Sequence, residues 1–445
     1  MLNPAQSSPT EPTRQPRLKK LVIHRFRNVV PGTTLLFDNT FNVLVGKNGV
    51  GKSTLLRLLE GLLTGNDALL GATPLHADYE IELGDDRLSV SIELNCGVWR
   101  PPTRVSTDAQ VAQEEYPIVP ADIRLSGKLE GPGVPLLEWS YAAPSPTFNV
   151  SVGGVPTATR PPAGQAFNFY TSPFPLAVRV AVTQQTPPPH LAFARLLPFF
   201  DLNSIRRFDE ALATFQSLFG WSAVLRTTSA SSGRSISAAK PFDWTNMEVV
   251  KGLLSCDLDE AREKGFVRWS SAKDPVLMEF QGHARVGDMS LDVPLNAVDV
   301  TPDGTSYELG PCRVRVTRPD GTLFFHDDLS FGQKRFLAFL YIVNRGSFIV
   351  LADELSNGMH RAWIDLAVKK LRDRQSFIAA QNPLILDRIG FANAQQMQQS
   401  VIFCREDQGH FVWENAPVEE MRDVFRAYDV GLQHMSDVLW QKGLW

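Results

Sequence analysis

The sequence predicts a mixed α/β fold whose central sheet is assembled from both ends of the chain. An apolar strand, Phe41 to Val45, leads into a glycine-rich loop and a leucine-rich helix. A second apolar strand, Phe348 to Leu351, ends in acidic residues. Between them lies a long segment of alternating stretches and proline-rich loops, which predicts a β-rich and helical insertion. At 445 residues, the chain is long enough for more than one structural unit.

Composition and charge narrow the class of protein. The net charge is −4, so any nucleic-acid contact must come from a local basic patch. The four cysteines lie far apart without metal-ligand spacing, which indicates buried thiols in a reducing compartment. No apolar run is long enough for a membrane span, and the N-terminus lacks the apolar stretch of a signal peptide. We therefore expect a cytoplasmic protein that does not contact a membrane.

The order of these features predicts the domain organisation. We expect a disordered tail over residues 1–17 and the N-terminal half of an α/β head over 18–66. Residues 67–320 are expected to form the insertion, part of which completes the head. Residues 321–445 are expected to form the C-terminal half of the head together with C-terminal helices.

The loop after Phe41–Val45 carries the full P-loop pattern, Gly46-x4-Gly51-Lys52-Ser53. A strand, a glycine-rich loop and a helix place backbone N–H groups and a helix N-terminus around phosphates. Lys52 is expected to reach the β- and γ-phosphates, and the Ser53 hydroxyl is expected to bind Mg²⁺. A chance glycine turn would not explain the flanking strand and helix. The predicted nucleotide-binding residues are Gly46, Lys47, Asn48, Gly49, Val50, Gly51, Lys52, Ser53 and Thr54.

The segment before the P-loop, LKKLVIHRFRNVVPGTTLLF, alternates like a strand and its hairpin partner. Phe26 lies where a nucleotide-binding strand could offer an aromatic ring to the base. Arg27 follows it and could offer a cation to a phosphate. A purely structural role for Phe26 in the core explains its position equally well.

The strand Phe348 to Leu351 delivers an acidic pair to its C-terminal end. Asp353 is expected to hold Mg²⁺, usually through a water, and Glu354 could polarise the attacking water as a general base. The next strand, in SFIAAQNPLILD, ends at Gln381 and Asn382. Ligands bind at the carboxyl edge of open α/β sheets, so these side chains are also candidates for the site.

The stretch LSFGQKRF, Leu329 to Phe336, predicts a second anion site. Ser330, Gly332 and Gln333 open a helix that is expected to run to Val343, and they offer a hydroxyl, bare backbone and a helix N-terminus. The chain's own P-loop already supplies phosphate-binding donors. In P-loop proteins that carry this second loop, it faces the γ-phosphate held by a second copy of the chain.

The motifs GKNGVGKST, LSFGQKR, FIVLADE and IAAQNPLILD occur in this order. Together they resemble the ABC-type ATPase head, in particular the RecF, SMC and OLD-like branch. The segment NGMH after the acidic pair resembles that of OLD-type and related antiphage-defence ATPases, similar to PtuA or AriA. The resemblance implies ATP and Mg²⁺ as ligands, and homo-oligomers formed through ATP-sandwiched heads. It also implies a separate effector protein, such as a nuclease.

Two residues depart from the pattern of this family. The stretch Leu329 to Phe336 corresponds to the signature loop of this family, and Phe331 replaces its usual small residue. Gln381 stands where the family generally has a switch histidine that contacts the γ-phosphate, so we assign it to the catalytic set. A glutamine can donate to a phosphate oxygen but cannot change charge, which favours slow turnover or a switch-like cycle.

The insertion contains several recognisable stretches. Tyr79 to Asn95 is typical of a hairpin with its turn at Gly84-Asp85-Asp86. Ser204 to Gly220 is the best amphipathic helix, and Val276 to Phe325 is β-rich. Gln184, after the strand AVRVAVT, is a candidate Mg²⁺-sensing residue, with a plain surface loop as the alternative. The absence of heptads excludes a long coiled-coil arm.

Three functions remain open from the sequence. The first is an ATP-driven sensor that holds or releases a separate effector. The second is a RecF-like clamp on duplex DNA, with candidate contacts in the basic clusters Arg17–Arg27, Arg206–Arg207 and Lys369–Arg374. The third is a nucleotide-dependent scaffold with little hydrolysis, suggested only by Gln381.

Overall fold

The computed structural model describes most of the chain. The described residues are 15–64, 73–95, 122–132, 134–142, 148–152, 155–159, 205–208, 222–228, 231–238, 257–270, 274–318, 320–344, 347–381, 385–430 and 434–441. They fall into two compact units. The P-loop unit comprises the described residues within Met1–Ile205, Phe348–Leu351 and Arg372–Trp445. The signature unit comprises those within Arg206–Ser347 and Ala352–Leu371.

Most of the regular structure is strand. In chain order, the strands are β1 (Arg17–Phe26), β2 (Thr33–Leu36), β3 (Phe41–Val45), β4 (Leu75–Leu83), β5 (Asp86–Asn95), β6 (Asp122–Gly131), β7 (Val134–Ala142), β8 (Phe148–Val152), β9 (Val155–Thr159), β10 (Ile205–Phe208), β11 (Ala223–Thr228), β12 (Ser231–Ala238), β13 (Phe266–Ser270), β14 (Asp288–Thr301), β15 (Gly304–Leu309), β16 (Arg313–Thr317), β17 (Leu323–Phe325), β18 (Ile349–Asp353), β19 (Gln375–Ala380), β20 (Val401–Asp407) and β21 (His410–Asn415).

The helices of the described residues are short. In chain order, they are α1 (Lys52–Thr64), α2 (Leu258–Lys264), α3 (Pro275–Ala284), α4 (Phe331–Val343), α5 (Arg361–Leu371), α6 (Leu386–Ile389), α7 (Ala394–Ser400), α8 (Val418–Asp429) and α9 (Met435–Gln441), with a 3₁₀ turn at His326–Asp328. The longest, α1 and α4, have 13 residues, so the described part of the chain contains no long coiled-coil arm. None of the described helices has the length and apolar composition to cross a membrane.

The P-loop unit contains an eight-stranded antiparallel sheet of order β2-β1-β4-β5-β6-β7-β8-β9. Both predicted hairpins are present in it: β1 pairs with β2, and β4 pairs with β5. The β4–β5 register ends at Leu83 opposite Asp86, so the turn falls at Gly84-Asp85, as the sequence predicts. Residues alternate between buried and half-buried along β4, which explains the alternation of its sequence.

A second, six-stranded sheet has the order β10-β18-β19-β3-β20-β21. Strand β3 lies between β19 and β20 and is parallel to both. Every residue of β3, β18 and β19 is buried, which explains their largely apolar sequence. The predicted mixed α/β fold, with a sheet assembled from both ends of the chain, is confirmed. The domain boundaries predicted at residues 17, 66 and 320 stay a prediction.

Polar side chains connect the two sheets within the P-loop unit. Gln375, fully buried at the start of β19, accepts from the Leu18 N–H at 2.8 Å and donates to the Leu18 carbonyl at 2.7 Å. It also donates to the Asp38 carbonyl at 2.8 Å. The leucines of α1 pack into the same apolar core as both sheets. Helix α1, which follows the P-loop, is therefore anchored in the core that both sheets share.

The signature unit contains a seven-stranded sheet of order β12-β11-β15-β14-β16-β17, with β13 also paired to β14. Helix α3 begins with the N-cap Asp274 and with Pro275, a residue suited to the first turn. The Tyr341 hydroxyl of α4 donates to Asp274 Oδ2 at 2.7 Å. Phe336 of α4 stacks on Trp363 of α5 with ring centroids 4.9 Å apart. Helix α4 is thus held between α3 and α5.

Two predicted elements of the insertion are corrected. The amphipathic helix predicted over Ser204 to Gly220 is wrong at its start, because Ile205–Phe208 is strand β10 beside β18. Four residues span little more than one helical turn, so their helical periodicity is weak. Pairing with a neighbouring strand outweighs it. The stretch Val276 to Phe325, expected to be β-rich, begins inside helix α3 and becomes strand only from Asp288.

Candidate functional site

The P-loop of the P-loop unit is shaped by two close backbone approaches. A Cβ on Gly46 would lie 2.1 Å from the Cys404 carbonyl oxygen of β20. A Cβ on Gly51 would lie 2.8 Å from the Phe411 ring of β21, and Gly51 has a φ of 86°. No other residue type fits at either position without moving the β20–β21 hairpin. The two glycines of the motif therefore let the loop lie directly against this hairpin.

The ammonium of Lys52 is held inside the loop. Its Nζ donates to the carbonyls of Gly46 at 2.7 Å and Lys47 at 2.9 Å, and the residue is buried. Helix α1 begins at Lys52, and its first backbone bond joins the Leu55 N–H to the Gly51 carbonyl. The N–H groups of Lys52, Ser53 and Thr54 precede that bond in the first turn, where a helix offers donors to an anion.

The β20–β21 hairpin also holds the P-loop through a hydrogen bond. Trp413 Nε1 donates to the Val50 carbonyl at 3.2 Å. Cys404 lies buried beside Gly46, and burial raises the pKa of its thiol to about 12, although the charge of Lys52 acts in the opposite direction. The thiol is therefore neutral at physiological pH. Of the four cysteines, Cys312 and Cys404 are described, and both are buried and free, as the sequence predicts.

The structure decides between the two roles considered for Phe26, stacking on a base or packing in the core. Phe26 is buried in the core, so it cannot offer its ring to a base. Arg27 is exposed at a left-handed φ of 46°, with its guanidinium 5.2 Å from the centre of the Phe26 ring. The Phe411 N–H donates to the adjacent Asn28 carbonyl at 2.8 Å, and the Phe411 ring packs on Gly51. The turn that carries Arg27 is thereby connected to the P-loop.

Strand β19 ends at Ala380, and Gln381 follows it, exposed, at the carboxyl end of the strand. This is the position that the sequence predicts for it. Asn382 and Gln184 lie outside the described residues.

The acidic pair belongs to the signature unit. Asp353 ends β18 and Glu354 follows it, and both are largely buried, at 8% and 6% exposure. Asp353 Oδ2 lies 3.8 Å from Arg207 Nη2 of β10. Glu354 has a left-handed φ of 53°, which costs a non-glycine residue on the order of 1 kcal/mol. A buried acid in a strained backbone conformation needs support from its surroundings.

Arg335 of helix α4 provides that support. It is fully buried, and its Nη2 donates to the carbonyls of both Asp353 (3.3 Å) and Glu354. The guanidinium also lies 4.4 Å from the centre of the Phe208 ring. Because two carbonyls and an aromatic face surround it, the cation fixes the backbone that carries the acidic pair.

The N-terminus of α4 is a capping box. The Ser330 hydroxyl accepts from the Gln333 N–H at 3.3 Å, and the Gln333 side chain accepts from the Ser330 N–H at 2.9 Å. A Cβ on Gly332 would lie 2.0 Å from the Gly358 carbonyl oxygen, so this glycine permits close packing of the loop after the acidic pair. The helix predicted from Gln333 to Val343 is present and begins two residues earlier.

The structure accounts for the unusual Phe331. A Cβ on Gly358, which has a φ of 69°, would lie 2.5 Å from the Phe331 ring. The ring therefore covers the NGMH turn, and it also lies 5.7 Å from the Arg335 guanidinium. Phe331 remains 42% exposed. A small residue here would leave this turn uncovered.

Each unit thus groups its own predicted residues. The P-loop unit carries the P-loop, Arg27 and Gln381, and the signature unit carries the signature loop and the acidic pair. Sequence reasoning missed the residues that support them, namely Arg207, Arg335, Phe411 and Trp413. Two signals were available: Arg335 ends the LSFGQKR motif directly before an apolar and aromatic stretch, Phe336 to Val343, and aromatic residues alternate along β21.

Taken separately, each unit contains residues whose chemistry suits a nucleotide or Mg²⁺. The P-loop offers glycines at which a side chain would clash, a buried ammonium and a helix N-terminus. Ser53 offers a half-buried hydroxyl, and Asp353 offers a carboxylate. Oxygen ligands of this kind suit Mg²⁺.

Comparison with known proteins agrees with this chemistry. Residues 20–115, which include the P-loop and α1, match the family model described as an AAA domain. No curated protein matches the chain. The P-loop, the parallel sheet around it and this match support an ATP-binding ATPase of the P-loop class.

Solved structures with some similarity are heads of SMC proteins. An Smc head bound to the C-winged helix domain of ScpA is 12% identical, with a TM-score of 0.41 over 91% of this chain and 98% of that chain. The SMC head domain from Thermotoga maritima is 8% identical, with a TM-score of 0.33 over 90% of this chain and 99% of that chain. Similarity this weak carries no conclusion about the site or its activity.

Proposed function

We propose that the chain is an ABC-type ATPase that binds ATP at its P-loop and hydrolyses it slowly. The observation that carries this proposal is the buried Lys52 ammonium, held by two loop carbonyls at the N-terminus of α1. A buried cation directed into a glycine loop has one evident use, which is to bind an anion.

The P-loop residues act by binding and orienting. Lys52 neutralises charge on the β- and γ-phosphates, and the first-turn N–H groups of α1 donate to their oxygens. Arg27, exposed on a turn connected to the loop through Phe411, offers a further cation to a phosphate. Because the loop lies against the β20–β21 hairpin, its donors are in place before the nucleotide arrives.

The acidic pair supplies the chemistry of hydrolysis. Ser53 and Asp353 would hold Mg²⁺, which when bound stabilises charge on the phosphate oxygens. Glu354 accepts a proton from the attacking water as general base. Gln381 donates a hydrogen bond to the γ-phosphate without changing charge, so turnover is slow. Gln184 remains a candidate sensor of the metal.

The signature loop serves a second copy of the chain. Ser330, Gly332 and Gln333 open α4 with a hydroxyl and bare backbone, and we propose that they complete the ATP site of the partner. Glu354→Gln should trap such ATP-bound pairs. Sedimentation of this variant should show dimers with ATP and monomers without it, and a sedimentation coefficient unaffected by ATP would contradict the pairing.

We further propose that the ATPase acts in the cytoplasm as a sensor that regulates a separate effector, such as a nuclease, in antiphage defence. Support comes from the NGMH turn, Asn357–His360, and from the short helices of the described residues. Expression of the chain with its neighbouring genes should lower phage plating, and Lys52→Ala should restore it. Equal plating with and without the intact genes would contradict the defence role but not the ATPase activity.

The DNA-clamp alternative gains no support from the basic clusters. Arg207 pairs with Asp353, and Lys370 pairs with Glu279 at 2.8 Å. Lys19 lies 3.4 Å from Glu82, within β1 and β4. Each cluster thus contributes cations to ion pairs within its own unit. The scaffold alternative rests on Gln381 alone, and a measured ATP turnover would exclude it.

A further inference from the structure

A cluster of metal-binding side chains lies in the eight-stranded sheet of the P-loop unit. The register of β1 and β4 pairs Ile23 with Ala77 and Arg25 with His76, so His24 is the extra residue of a β-bulge. Bulges re-aim a side chain relative to the regular strand. Here the bulge brings His24 to His76 and Asp78, on the half-buried face of the sheet.

The three side chains already have the spacing of metal ligands. One ligand atom from each residue lies within 4.8 Å of the others. His24 Nε2 is 2.7 Å from Asp78 Oδ2, and the rings of His24 and His76 have centroids 4.4 Å apart. Tetrahedral ligands about 2.0–2.1 Å from zinc are roughly 3.3 Å from one another. Movements of the ligand atoms by about an ångström would therefore bring them to the distances of a zinc site.

We propose that His24, His76 and Asp78 bind a divalent transition-metal ion of the Zn²⁺ type. Two imidazoles and one carboxylate are a ligand set that this class of cation prefers, and three protein ligands leave a fourth position open. The site consists of strand residues outside every nucleotide-binding motif. It is therefore independent of the function proposed above.

The surroundings of Asp78 favour the ligand role. Asp78 pairs in register with Ser91 of β5, whose side chain hydrogen-bonds to the carboxylate. Burial alone would raise the pKa of Asp78. The hydrogen bonds from Ser91 and His24, together with the nearby imidazoles, lower it by more, so the pKa lies below its usual value. An ionised carboxylate oriented by a neighbouring hydroxyl is the form that binds a metal.

Isothermal titration of the full, chelator-treated chain with Zn²⁺ alone tests the site. We expect one Zn²⁺ ion per chain, no competition by Mg²⁺, and the same stoichiometry in Lys52→Ala. His24→Ala, His76→Ala and Asp78→Asn should each weaken binding by more than about tenfold, since loss of a partner of a ligand already costs roughly tenfold to a hundredfold. Ser91→Ala should weaken it by about tenfold. His410→Ala, on an exposed histidine of β21, is the matched control.

Thermal unfolding with and without Zn²⁺ provides a second readout, because a ligand of the folded state raises Tm. Zn²⁺ should raise the Tm of the wild type and of His410→Ala, but not of Asp78→Asn, which keeps the shape of the side chain. Absence of Zn²⁺ binding by the wild type would overturn the proposal and leave His24 and Asp78 as a hydrogen-bonded pair only. Binding that survives all three ligand substitutions would also overturn the proposal.

Discussion

The P-loop and the acidic pair are held in place by different means. The P-loop is shaped by its own glycines, and Lys52 is held by carbonyls five and six residues away. The acidic pair depends on cations from other elements, Arg335 of α4 and Arg207 of β10. The P-loop can therefore be recognised from a short stretch of sequence. The acidic pair also requires Arg207, which no motif contains, and Arg335, whose two carbonyl acceptors lie outside its own motif.

The largest effect should come from the P-loop itself. Lys52→Ala should abolish ATP binding, because no other side chain of the motif can neutralise the β- and γ-oxygens. Equilibrium dialysis measures this. Arg57→Ala is the matched control, since Arg57 lies on the exposed face of α1 outside the motif. Unchanged ATP affinity in Lys52→Ala would refute the assignment.

The acidic pair should affect hydrolysis rather than binding. Glu354→Gln should keep ATP affinity and lose about 10²- to 10⁴-fold in turnover, because a carboxamide keeps the shape but cannot accept the proton. Phosphate release measures the turnover. Glu308→Gln, exposed on β15, should behave as the wild type. If Glu354→Gln hydrolyses ATP at the wild-type rate, the base lies elsewhere.

The support from Arg335 should be visible as stability. Arg335→Met should lower the free energy of unfolding by about 2–4 kcal/mol, since two buried carbonyls lose a charged donor. Turnover should fall more than ATP affinity, because the P-loop is untouched. Denaturant unfolding measures the first effect, with Arg262→Met on the exposed face of α2 as the control. Equal stability of both variants would show that the acidic pair does not depend on this cation.

Arg207 should have the smallest effect. Removal of a cation beside Asp353 favours another cation there, so Arg207→Gln should lower the Mg²⁺ concentration for half-maximal hydrolysis by roughly threefold to tenfold. A Mg²⁺ titration of turnover measures the change. Arg226→Gln, exposed on β11, should leave the titration unchanged. A higher Mg²⁺ requirement in Arg207→Gln would show that Arg207 positions Asp353 rather than competing with the metal.

The sequence predicts features whose causes are local. Strand β3, the hairpin turn at Gly84-Asp85 and the start of α4 follow from periodicity, turn residues and a capping box. The sequence does not predict features that depend on contacts between residues far apart in the chain. Residues Ile205–Phe208 form a strand because they pair with β18, and the local sequence does not indicate that pairing. Likewise, the sequence shows Arg335 only as the second of two adjacent cations near the start of a largely apolar helix, and its two carbonyl acceptors lie outside that helix.

The central claim is that the signature loop of one chain completes the P-loop site of another. ATP hydrolysis by a mixture of Ser330→Arg and Lys52→Ala chains tests it most directly. Each chain alone should be nearly inactive, and Ser330→Arg alone should still bind ATP. In a mixed pair, one site combines an intact P-loop with an intact signature loop, so the mixture should regain turnover. A mixture as inactive as its components, or normal hydrolysis by Ser330→Arg alone, would contradict the claim.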